Sequence, residues 1–155
     1  MTTTTSRKLF TKTDCPSLAA LCAGPWDLHR SIAHADGTQA TFTGKATWTM
    51  TGQGRRARCE EVGTLEIANS APVTAHQTYI WDKDLNVYFQ DGRFFHQVPR
   101  HGGPVLHDCP PDTYCGSYTF ADATCFVVEW QVNGPRKSYL MRSRYSRSLT
   151  PGPSL

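Results

Sequence analysis

The chain has 155 residues, 39% of them hydrophobic, 19% charged and 11% aromatic, which suits one domain with a genuine core and excludes a disordered chain. The net charge of +3 is small. Half of its 16 basic residues fall in two groups, Arg55 to Arg58 and Arg136 to Arg147, with no continuous stripe, which argues against a nucleic-acid partner.

The opening residues, MTTTTSRKLF, carry no apolar signal core, and no run approaches membrane-spanning length, so no membrane insertion is expected. Six cysteines without a Cys-x-x-Cys pair read as reduced thiols of a cytoplasmic protein rather than a disulfide framework. Residues 1–13 and 150–155 are expected as flexible tails around a single domain, 14–149.

Asp14 or Ser17 caps a short helix through SLAALCA, and Gly24-Pro25 ends it. From Trp26 the apolar period becomes two. One face of the first strand reads Trp26, Leu28, Arg30, Ile32. The second reads Phe42, Gly44, Ala46, Trp48, Met50, with threonines and Lys45 opposite. The third reads Cys59, Glu61, Gly63, Leu65, Ile67, and the fourth Gln77, Tyr79, Trp81. The stretch LNVYFQDGRFFH follows, with Asp91-Gly92 between two aromatic runs, a strong hairpin signal. A two-residue turn there pairs Phe89 with Phe94, Tyr88 with Phe95 and Val87 with His96. It makes one face of Leu85, Val87, Phe89, Phe94, His96 and Val98. Residues 100 to 112 read as loops, in which Pro110-Pro111 fixes the chain. Residues 113–121 and 124–133 form a further hairpin. The last strand, Arg136 to Arg147, puts Lys137, Tyr139, Met141, Ser143, Tyr145 and Arg147 on one face. About 8 to 10 short antiparallel strands in hairpin order predict an all-β, up-and-down barrel with a short N-terminal helix, because closure removes exposed edges.

Gly24-Pro25-Trp26 before the first strand, with Arg147 ending the last, resembles the signature of the calycin superfamily, the lipocalins, fatty-acid-binding proteins and relatives. The resemblance implies that Arg147 stacks on Trp26 and closes the barrel end. Further blocks cover most of the chain: Trp26-x-Leu28-x-Arg30, Glu61-x-Gly63-x-Leu65, Phe89-x-Asp91-Gly92-Arg93-x-Phe95-His96, His107-x-Cys109-x-x-Asp112-x-Tyr114, Gly134-Pro135-Arg136-Lys137-x-Tyr139 and Tyr145-x-Arg147. They resemble a family of uncharacterised calycin-like proteins, a domain of unknown function found mainly in bacteria and also in protists. The chain departs from it at Thr78 and Ser138, where that family tends to carry an arginine and an aspartate. The resemblance implies the fold and brings no activity.

Polar groups on the apolar faces are the candidate site: Arg30, Glu61, Tyr79, His96, Lys137, Tyr139 and Tyr145, with His107 nearby. Buried charges need partners. Arg30 and Glu61 form either a structural ion pair or a clamp for a ligand carboxylate, which suits arginine's planar fork. Tyr145-x-Arg147 is similar to the arginine and tyrosine that hold a carboxylate in fatty-acid-binding proteins. His96 reads as a core histidine bonded to Tyr139, as a general base, or as a haem ligand, a role open to His107 too. His107-x-Cys109-x-x-Asp112 lacks the second short-spaced pair a zinc site wants, so no metal is expected. Thiol catalysis by Cys109 rests on its nearness to His107 in sequence and nothing else. The expected function is binding of a small, partly apolar or amphiphilic ligand with an acidic group. The alternatives are an enzyme with His96 as acid or base and Arg30 and Lys137 steadying an anion, or a haem-binding barrel.

Overall fold

The computed structural model describes residues 13–148. The expected tails lie outside these, apart from Thr13, whose hydroxyl donates to the Ala121 carbonyl. One helical turn, α1 (Leu18–Leu21), precedes ten strands: β1 Trp26–His34, β2 Gln39–Thr51, β3 Arg56–Ile67, β4 Val73–Asp82, β5 Asn86–Phe89, β6 Phe94–Gln97, β7 Gly103–Cys109, β8 Asp112–Asp122, β9 Cys125–Asn133 and β10 Ser138–Ser146. They form one antiparallel sheet in the order β6-β5-β4-β3-β2-β1-β10-β9-β8-β7. The first and last strands pair along their whole length, Asp27 with Ser146 through His34 with Tyr139. The two sheet edges, β6 and β7, meet without a ladder, so the barrel is nearly closed.

The alternation of β1, β2, β3 and β10 holds. Trp26, Leu28, Phe42, Ala46, Trp48, Cys59, Glu61, Ser143 and Tyr145 are all buried in the interior. Glycines allow the wall to bend. Gly44 of β2 faces Gly63 of β3, and a Cβ on Gly44 would stand 2.1 Å from the Val62 carbonyl oxygen. Two side chains cannot occupy that crossing, so the backbones close upon each other.

One end is plugged. Ser17 caps α1 by accepting from the Ala20 N–H, and Leu18 and Leu21 are buried beneath the barrel. The Trp26 indole donates to the Leu21 carbonyl at 3.1 Å. The Arg147 guanidinium carbon lies 4.2 Å from the Trp26 ring centroid, the stacking that the calycin resemblance implies.

Two expectations are corrected. The β5–β6 loop has three residues, Gln90-Asp91-Gly92, rather than two. The Gly92 N–H donates to the Phe89 carbonyl and the Phe89 N–H to the Arg93 carbonyl, and positive φ falls on Gly92 but not on Asp91. The Asp91 carboxylate instead accepts from the Arg93 N–H and Nε. A β-bulge then absorbs the extra residue: Val87 still faces His96, but Tyr88 faces Phe94 and Phe95 is left over. Consequently Phe94 is exposed, while Phe95 and His96, neighbours in sequence, are both buried. The second correction concerns residues 103–109. They form β7 rather than a loop, pairing from Gly103 with Tyr118 to Cys109 with Asp112.

Candidate functional site

Above the plugged end lies an interior cavity of about 270 Å³. Its lining has two characters. Trp48, Trp81, Phe89, Phe95, Phe126, Val128 and Trp130 make an apolar wall, and Arg30, Glu61, Ser143 and Tyr145 a polar one. Among the lining residues Gln77 is exposed and Tyr114, Tyr139, Phe89 and Met141 are half-buried, so their rim is the open end.

The polar wall is built by three strands. Arg30 of β1 faces Ser143 of β10 directly, and its Nε donates to the serine hydroxyl at 2.7 Å. Its Nη2 crosses β2 to reach Glu61 Oε1 at 2.9 Å, and it also donates to the hydroxyl of Tyr145, on the neighbouring β10, at 3.2 Å. The crossing is open because the inner face of β2 carries only Gly44 and Ala46 there. Tyr145 donates to the second carboxylate oxygen, Oε2, at 2.5 Å. Glu61 is 2% exposed, and both its oxygens accept a charge-assisted or phenolic bond, which is what a buried carboxylate requires. Burial first, and the Glu61 charge second, push the Tyr79 and Tyr145 phenols up, so both keep their protons.

His96 sits across the cavity from a different origin, the β6 bulge. Its partner is Tyr118 of β8, with Nε2 2.7 Å from the hydroxyl, rather than Tyr139. Phe95 and Trp130 pack edge-on to the imidazole at 4.3 and 5.0 Å between centroids. Burial, with a smaller push from His107, lowers His96 to about 3, so the ring is neutral throughout the physiological range.

Of the residues singled out in the sequence, Arg30, Glu61, Tyr79, His96, Tyr139 and Tyr145 line this cavity. His107 and Lys137 do not. His107 packs outside it against Phe95 and Tyr114, with centroids 5.1 and 5.4 Å away. The Lys137 side chain is 49% exposed and lies 3.5 Å from Asp112 Oδ2 at the open end. Ser143 and Tyr118 are the polar partners that sequence reasoning missed. Both follow from parity, Ser143 between Met141 and Tyr145, and Tyr118 between Gly116 and Phe120, but neither type announces a site. All six cysteines are free. Among the described residues no three of His, Cys, Asp and Glu gather closely enough to hold a metal ion. No helix among them is long and apolar enough to cross a membrane.

A family profile described as a family of unknown function, DUF6314, matches residues 22–147. The chain belongs to that family. The match takes in every strand of this DUF6314 barrel, the Trp26–Arg147 closure and the whole cavity lining. No curated protein matches the chain. Among solved structures, the S-type phycobiliprotein lyase CPES of Guillardia theta is similar at a TM-score of 0.58 and 8% identity, covering 86% of this chain and 92% of that one. That likeness is one of fold, an antiparallel β-barrel. Two artificial barrels are more distant. One is a fluorescence-activating barrel designed de novo, with a TM-score of 0.45, 9% identity, and 86% and 100% of the two chains covered. The other is the redesigned barrel mFAP1 bound to DFHBI, with a TM-score of 0.43, 14% identity, and 86% and 100% covered.

Proposed function

We propose that this DUF6314 barrel binds a small, mostly apolar molecule with one polar end inside its cavity. The observation that carries the reading is the cavity itself: about 270 Å³ of space between an aromatic wall and a satisfied polar wall. A core built for stability alone would fill such a space, since each void forfeits contacts. At ~30 Å³ per water-sized volume the space admits roughly ten non-hydrogen atoms, a small ligand by the standards of barrel pockets.

The acidic group expected from the sequence is less well supported than the apolar body. Arg30 is matched by Glu61, so an incoming carboxylate would meet a second negative charge beside the cation. Acid–base catalysis by His96 is also less well supported. A ring held near about 3 is a weak base at neutral pH, its Nε2 is engaged by Tyr118, and Lys137 lies against Asp112 at the open end. The same engagement opposes haem ligation through Nε2.

The test is native mass spectrometry of gently purified protein, alongside the variant Val128→Phe, which fills the cavity. The expected result is a reproducible extra mass on the wild type that Val128→Phe lacks. A bare wild-type mass, together with no binding of any of the small probes named below, would sink the reading.

A further inference from the structure

Resting on that reading, we infer that the ligand's polar end is an acceptor without a donor, such as the oxygen of a ketone, aldehyde, ester or ether, taken by the indole N–H of Trp48 and the Nδ1–H of His96. Both side chains line the cavity and are 2% and 4% exposed. Trp48 Nε1 and His96 Nδ1 are buried with no hydrogen-bond partner. Among the described residues, no side-chain oxygen is left buried and unpaired.

The indole N–H is a donor and nothing else. The His96 assignment follows from its neighbour. Tyr118 is buried, and among the described residues its hydroxyl has one hydrogen-bonding partner, His96 Nε2. A buried phenol that donates to nothing wastes its proton, so the Tyr118 O–H points at Nε2 and Nε2 accepts. A neutral imidazole carries one proton, which must then sit on Nδ1. Both unpaired nitrogens are therefore donors. The charged groups of the lining, Arg30 and Glu61, are satisfied between themselves and by Ser143 and Tyr145. An alkylammonium, which has donors and no lone pair, would leave both N–H groups unpaired. A free carboxylate would be desolvated near Glu61.

The experiment is isothermal titration of the full chain at pH 7.5 with four probes of nine or ten non-hydrogen atoms: octan-2-one, nonane, octylamine and octanoate. Octan-2-one is expected to bind about tenfold or more tighter than nonane and octylamine, the scale of one good hydrogen bond from an otherwise unpaired donor. Trp48→Phe is expected to cut the octan-2-one to nonane affinity ratio to about twofold or less, whatever the lost ring area does to both probes together. Should that variant fold poorly, the indole ¹H–¹⁵N resonance of Trp48 in the wild type gives the same answer: it shifts downfield with octan-2-one and stays put with nonane. Equal binding of octan-2-one and nonane would overturn the inference and leave the cavity-binding reading standing. Tightest binding of octanoate would overturn it in favour of a carboxylate clamp at Arg30. Binding of none of the four would overturn both.

Discussion

Removing Arg30 should cost this barrel more than any surface charge could. Arg30→Met keeps much of the side-chain volume and strands the Glu61 carboxylate, 2% exposed, with Tyr145 as its remaining donor. Breaking a buried pair by deleting one partner costs about 3–5 kcal/mol, and in a chain of 155 residues that lowers Tm by roughly 6–20 °C. Glu61→Gln removes the other charge and leaves the cation facing a neutral amide, with a loss of the same order. The double variant holds no buried charge at all, so it should lose less than the sum of the two by about 1–3 kcal/mol. The assay is urea unfolding of all four proteins, followed by tryptophan fluorescence, read as a double-mutant cycle. A loss under ~1 kcal/mol for Arg30→Met, the level of an exposed ion pair, or strict additivity in the cycle, would refute the reasoning.

The pH dependence should report His96. Its folded value of about 3 lies below the ordinary 6.5, so the unfolded chain takes up the proton first as pH falls. The stability this group contributes is full above about pH 6.5 and declines toward pH 3, at up to ~1.4 kcal/mol per pH unit. His96→Gln should flatten urea-derived stability over pH 4–6 by that slope, and parallel curves would contradict the assignment. Arg147→Ala removes the cation from the buried face of Trp26 and should cost about 2 kcal/mol, with Arg147→Lys recovering part of it in calorimetry. At Gly63 an added Cβ meets the Thr43 carbonyl oxygen at 2.3 Å, so Gly63→Ala should lose about 3 kcal/mol or more in urea because backbone cannot step aside. At Gly116 the added Cβ meets the Trp130 ring at 2.7 Å, and a ring can tilt. Gly116→Ala should therefore lose less stability than Gly63→Ala and shift the tryptophan emission instead.

Much of the architecture was legible in the chain, because a strand with one face in a core must alternate, and this chain alternates from Trp26 to Arg147. Parity alone put Arg30, Glu61, Tyr139 and Tyr145 inside. The turn residues Gly24-Pro25, Asp91-Gly92 and Gly134-Pro135 marked where direction changes, and the Trp26–Arg147 pairing was readable as a closure. Parity stops being informative where the count of residues changes. The three-residue turn at Gln90 to Gly92 and the bulge after it exchanged Phe94 for Phe95 while keeping His96 inside, and no single residue type encodes that slip. The β7 strand was hidden by its own composition, since His107, Asp108 and Cys109 do not look like a strand until β8 lies beside them. Which inward groups meet was decided only by closure. Arg30 reaches Glu61 across a strand of small residues, and His96 meets Tyr118 rather than Tyr139, because the distance across a barrel depends on how far the sheet coils, a property of all ten strands together.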